Sequence, residues 1–200
     1  MKVFTNEELR NIIIAILVMS VIFWIYVFSF PDYNWFFVSL IIVFFSFFIH
    51  EMGHKFVARK LGCMATYKIW PTGLLIGIIT IFFGLIIEGL RNSGFAFIAL
   101  GFMEIMPYSF GRWGFKVVRL TPKGLGLISL AGVGVNIILA IFFKIFSGMW
   151  LFDKLAYFNA LFALFNLLPI PPLDGSKIFM WKMWFWLFLM FITILLLFIF

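Results

Sequence analysis

The sequence predicts an all-α polytopic membrane protein of about six transmembrane helices, with a small membrane-associated β or re-entrant segment between residues 62 and 126. Three observations lead there. Hydrophobic residues fill 65% of the 200 positions and charged residues only 12%, whereas a soluble protein is nearer half apolar and a quarter charged. Mean hydropathy is +1.17, which leaves too little polar surface to cover a body in water. The apolar residues also gather into uncharged stretches close to the ~20 residues that cross a hydrocarbon core. Disordered, collagen-like, coiled-coil and disulfide-scaffold classes are thereby excluded.

The stretches are Ile12–Phe30, Tyr33–Ile49, Ile69–Ile87, Gly124–Phe143, Leu155–Leu173 and Met183–Phe200. They divide one transmembrane domain over 1–200 into core helices at about 35–60, 127–146 and 153–168 and flanking helices at about 11–30 and 177–200, with 61–126 irregular. The start does not read as a signal peptide, because Ile12–Phe30 exceeds an apolar signal core and no small-x-small cleavage site follows it. A shorter run, Asn92–Met103, is too brief for a span. Small residues alternating with Phe95 and Phe97 favour a strand there.

Net charge is +7. The basic residues flank apolar runs, so they read as topology and lipid-headgroup signals, and no nucleic-acid partner is expected. Lys55, Arg59, Lys60 and Lys68 follow the second stretch, Arg112 to Lys123 precede the fourth, and Lys177 and Lys182 precede the last. By the positive-inside rule these ends lie in the cytoplasm, and the N-terminus with them. A multi-pass cell-membrane protein so oriented has residues 61 and 123 on one side, so 69–110 must leave and return. The one cysteine, Cys63, cannot form an intrachain disulfide.

Both histidines of the chain fall in one pentapeptide, His50-Glu51-Met52-Gly53-His54. On a helix, residues four apart share a face one turn apart. Two imidazoles so placed bind one Zn²⁺, and the glutamate between them reaches water at the metal. The alternative is a pair of packing histidines beside a surface glutamate, but ionisable groups within a membrane are costly and usually functional. His50 lies nine residues before Arg59, or about 14 Å along a helix from the basic end. The site therefore sits inside the bilayer, toward the cytoplasm.

A catalytic zinc takes three protein ligands and keeps one position open. With no third histidine, the candidates are a carboxylate or Cys63, and Cys63 lies beyond the basic helix end. Asp174 ends the segment Asn166-Leu167-Leu168-Pro169-Ile170-Pro171-Pro172-Leu173-Asp174-Gly175. Its prolines break the helix, and broken backbone at membrane depth survives only where protein buries it or it lines a cavity. Asp174 could instead cap the following helix. Beside an HExxH lacking its third ligand, ligation is the better reading.

The pairing of HEMGH with NLLPIPPLDG resembles the site-2 protease family of intramembrane zinc metalloproteases, of the archaeal or bacterial kind without a PDZ domain. Ala131-Gly132-Val133-Gly134-Val135-Asn136 stands where that family often has A-G-P-x-x-N, with Val133 in place of the proline. The resemblance implies one Zn²⁺ per chain held by His50, His54 and Asp174, with Glu51 as general base and acid. It implies Asn166 and Asn136 as groups that steady the substrate backbone or the oxyanion. It further implies hydrolysis of peptide bonds within transmembrane segments, so the expected partners are membrane-embedded protein or peptide substrates and the lipid bilayer. Oligomeric state is open. The alternative is a non-catalytic zinc-binding transporter or scaffold. The intact Glu51 speaks against it, since a structural zinc site closes four ligands and has no use for a base.

Overall fold

The structure, a computed structural model, describes residues 4–28, 32–90, 99–111, 114–146 and 148–198. It is mainly helical: α1 (Asn6–Val27), α2 (Asn34–Lys60), α3 (Pro71–Ile86), α4 (Pro122–Ile145), α5 (Trp150–Asn166), α6 (Asp174–Trp181) and α7 (Met183–Phe198). Among the described residues, four short strands lie between α2 and α4: β1 (Met64–Ile69), β2 (Gly101–Met106), β3 (Tyr108–Gly111) and β4 (Gly114–Val117). Among the described residues, α1, α2 and α4 are long and apolar enough to cross a membrane. The other apolar helices run 16 or 17 residues, short of the ~20 that span the hydrocarbon core. The expected count of about six spans is thus met by length for three.

Local sequence explains the boundaries. Thr5 caps α1 by accepting from the Glu8 amide, and Thr121 caps α4 by accepting from the Gly124 amide. Pro71 and Pro122 open their helices, where a missing amide hydrogen is harmless. Leu167 ends α5 just before Pro169, as the residues ahead of a proline resist helix. The helix expected over 177–200 is two helices, parted at Lys182 in extended conformation. Lys182 is the one charged residue between Ile178 and Phe198.

α4 is central, packing on α2, α5 and α6. α1 covers the other side of α2 and also packs on α3 and β1. The main core joins α1, α2 and α5 through Phe23, Phe47, Phe158 and Phe162. The rings of Phe23 and Phe158 meet edge to face with centroids 4.8 Å apart, a favoured aromatic geometry.

β1 and β2 pair antiparallel, with Tyr67 opposite Met103 and Ile69 opposite Gly101. The chain that leaves at Ile69 therefore returns beside it at Gly101. The alternation at Phe95 and Phe97 lies outside the described residues, and the strand begins at Gly101. The free edge of β1 is closed by a buried ion pair. Glu8 and Lys55 meet at 2.7 Å; Glu8 also accepts from the Tyr67 amide at 2.8 Å, and Lys55 donates to the Ala65 carbonyl at 2.9 Å. Lys55, read from the sequence as one of the flanking basic charges, is 8% exposed and faces protein.

Candidate metal centre

His50 and His54 project from the same face of α2, and Asp174 opens α6 after the proline-rich turn. Their Nε2 atoms lie 3.0 Å apart. Asp174 Oδ2 is 3.6 Å from Nε2 of His50 and 3.0 Å from Nε2 of His54. All three are buried, as is Glu51. Asp174 does not cap its helix: the N-cap residue is Leu173, with no side-chain cap bond.

The far side of each imidazole is fixed by an oxygen. His54 Nδ1 donates to the Ile128 carbonyl at 2.8 Å, and His50 Nδ1 donates to Asn136 Oδ1 at 2.5 Å. A neutral imidazole that donates through Nδ1 carries its lone pair on Nε2. Two lone pairs and a carboxylate oxygen therefore converge, an arrangement that calls for a cation among them. Ligands about 2.0–2.1 Å from a tetrahedral zinc lie about 3.3 Å from each other, close to the three separations observed. Asp174 Oδ1 and Glu51 Oε2 have no hydrogen-bond partner among the described residues. Buried oxygens with accepting capacity to spare at this place fit a bound cation and its water. The residues present thus fit zinc: His50, His54 and Asp174 could hold the ion, and Glu51 lies beside it with an oxygen to spare.

The two asparagines occupy different places. Asn166 lines the small cavity in front of His50, Glu51, His54 and Asp174, and gives one amide hydrogen to the Phe162 carbonyl at 3.0 Å. Asn136 stands behind His50. Its Oδ1 holds the ring, and its Nδ2 donates to Asn159 Oδ1 at 2.7 Å. Asn159 in turn donates to Ser46 Oγ at 2.9 Å. The cavity encloses about 10 Å³, space for roughly one water.

Sequence reasoning passed over several of these groups. Asn159 stands two turns before Asn166 on the same helix, and that spacing of polar residues in an apolar stretch was a usable signal. The Ile128 carbonyl has none, because a backbone acceptor leaves no mark in the sequence. Lys177, 3.6 Å from Asp174 Oδ1, also donates to the Met103 carbonyl at 3.1 Å. Tyr67 on β1 lines the same cavity. Burial, and then the Glu51 carboxylate, push its phenol well above the ordinary range, so it remains a hydrogen-bond donor.

Close helix contact makes this geometry possible. A methyl group on Gly132 would come within 2.2 Å of His54 Nε2, and one on Gly53 within 2.7 Å of the Ala131 carbonyl oxygen. The α2–α4 crossing is therefore set by two glycines, one on each helix, at the level of the histidines.

The chain is 31% identical over 194 residues, covering 92% of its own length and 88% of the other, to a protein of Methanocaldococcus jannaschii named "Putative zinc metalloprotease MJ0611". The chain belongs to this zinc metalloprotease family. No family model matches it, and neither does any solved structure. Family membership and the converging His-His-Asp set agree on a zinc site.

Proposed function

We propose that this chain is an intramembrane zinc metalloprotease of the site-2 type, a multi-pass protein of the cell membrane that hydrolyses peptide bonds within transmembrane segments of its substrates. The observation that carries the reading is the meeting of His50, His54 and Asp174 within 4.8 Å, part-way along a 27-residue apolar helix. Phe44, Phe45, Phe48, Ile49 and Phe56 of that helix are exposed, so the outer surface at the level of the site is suited to lipid and not to water. The basic residues Arg59 and Lys60 at the end of α2 support a site toward the cytoplasmic side of the bilayer, by the positive-inside rule.

Bound by His50, His54 and Asp174, a zinc ion supplies a Lewis acid and an activated water near neutral pH. The chain's own residues do the rest. Glu51 takes the proton of water as it attacks the peptide carbonyl, then passes that proton to the leaving amine. The Nδ1 acceptors, Asn136 and the Ile128 carbonyl, hold both imidazoles in one tautomer. Asn166, facing the cavity, steadies the substrate backbone with its remaining amide hydrogen. A cavity the size of one water admits no helix. The substrate must enter unwound, with the surrounding elements parted.

The test uses purified wild type and Glu51→Gln in proteoliposomes with a peptide bearing one transmembrane segment. Wild type should cleave it and carry one zinc; Glu51→Gln should keep the zinc and lose activity by about 10²–10⁴-fold. Zinc flux without cleavage would overturn the reading in favour of transport, and full activity in Glu51→Gln would remove the base.

A further inference from the structure

We propose that the Tyr67 phenol is a catalytic residue, donating a hydrogen bond to the oxyanion that develops on the attacked peptide carbonyl. The inference rests on the proteolytic reading above and deepens it by naming a donor outside both sequence motifs.

Tyr67 is 2% exposed, and its hydroxyl has no hydrogen-bond partner among the described residues. A buried hydroxyl left without a partner is costly and calls for an explanation. Its ring lines the same small cavity as Glu51, His50, His54, Asn166 and Asp174. Two of the unpartnered buried oxygens, Glu51 Oε2 and Asp174 Oδ1, belong to that same group. Both are acceptors, and Tyr67 alone among the unpartnered atoms there brings a proton to donate.

The chain holds the phenol in place from several sides. Phe47 of α2 meets the Tyr67 ring edge to face, with centroids 5.1 Å apart at 90°. The Tyr67 amide is tied to Glu8 at 2.8 Å, which fixes the strand beneath the ring. Across the sheet, a methyl group on Gly101 would come within 2.1 Å of the Tyr67 hydroxyl. The ring therefore lies over a glycine, and any side chain there would displace it. A buried hydroxyl on a residue that lines the site, held by packing and without a hydrogen-bond partner among the described residues, is the arrangement expected of a preorganised oxyanion donor. When water adds to the carbonyl carbon, the carbonyl electron pair moves onto oxygen. Tyr67 meets that charge without giving up its proton.

The experiment compares wild type, Glu51→Gln, Tyr67→Phe and Gly101→Ala, each purified with zinc and assayed on the same membrane-embedded peptide. Binding of a phosphinic peptide, which mimics the tetrahedral state, is measured separately from turnover. Tyr67→Phe should retain wild-type zinc and KM, lose kcat by about 10²-fold, and lose affinity for the phosphinic peptide by a similar factor. Uncleaved peptide should bind Glu51→Gln and the double variant Glu51→Gln/Tyr67→Phe equally. Gly101→Ala, which keeps the hydroxyl but pushes it aside, should also lose kcat with its zinc retained. Tyr67→Phe with wild-type kcat overturns the proposal, while an inactive Glu51→Gln beside it leaves the protease reading standing. Zinc lost in both Tyr67→Phe and Gly101→Ala also overturns it, since the ring would then only hold the fold. A wild type that binds zinc and cleaves nothing overturns both.

Discussion

The amide oxygen of Asn136 lies 2.5 Å from Nδ1 of His50, and the amide nitrogen of the same side chain is held by Asn159. One asparagine on α4 thus reads the tautomer of a histidine on α2 and is itself oriented by α5. An acceptor behind a ligating imidazole fixes its ring and raises its basicity, and losing such a partner costs about 10–100-fold in metal affinity. Asn136→Leu should weaken zinc binding by that factor, measured by competition with a chelating dye. Asn136→Asp, which keeps an oxygen at Nδ1, should retain most of the affinity. Equal affinities in the two variants would mean that the contact does not tune the site.

The glycines of the α4 motif separate cleanly. A methyl group on Gly132 would strike the His54 ring, whereas one on Gly134 would meet only Leu130 Cδ1 at 3.9 Å. Gly132→Ala should therefore displace His54 and strip the protein of zinc. Gly134→Ala should keep full zinc content and gain slightly in helix stability, since alanine outranks glycine by up to ~1 kcal/mol within a helix. Metal analysis of the two purified variants decides this. Equal zinc in both would show that α2 and α4 can part without loss of the site.

Glu8 and Lys55 are an ion pair at 2% and 8% exposure, well inside the fold. Breaking such a pair from one side strands the other charge and costs about 3–5 kcal/mol, whereas replacing both partners by apolar residues is often neutral. Glu8→Leu, which strands the Lys55 charge and the Tyr67 amide together, should lower the unfolding temperature in detergent more than the double change Glu8→Leu/Lys55→Met does. The single variant should also loosen β1, which Glu8 holds through the Tyr67 amide. Hydrogen exchange at residues 65–67 would show it. A double variant less stable than the single would mean that the pair itself, and not the stranded charge, carries the stability.

What the sequence made legible is what periodicity and scarcity can encode. The i, i+4 spacing puts both imidazoles on one face of α2, and the prolines mark where α5 must stop. Charges and turn residues flank α2, α4 and α5 and mark where they begin and end. Other features depend on partners far along the chain. β1 finds β2 across more than thirty residues, Glu8 finds Lys55 across α1 and α2, and Asn136 finds His50 across 86 positions. No local pattern announces such pairings. Helix ends are harder to read than apolar length: the uncharged stretch Ile69–Ile87 holds the 16-residue α3, and Leu155–Leu173 runs past the end of α5 into the proline-rich turn.

Asp174 is the residue on which the two readings of the proline-rich turn diverge. As a helix cap it would be replaceable by serine, which caps as well as aspartate, and alanine there would cost about 1 kcal/mol. As a ligand it is not replaceable by serine, because a catalytic zinc needs three protein donors and two histidines supply only two. The structure places the N-cap one residue earlier, at Leu173, and turns the carboxylate to within 3.0 Å of His54 Nε2. Asp174→Ser should therefore fold with near-wild-type helix content and lose its zinc, read by circular dichroism and metal analysis on the same sample. A serine variant that keeps the metal would take the carboxylate out of the coordination sphere and leave the histidine pair in need of another third partner.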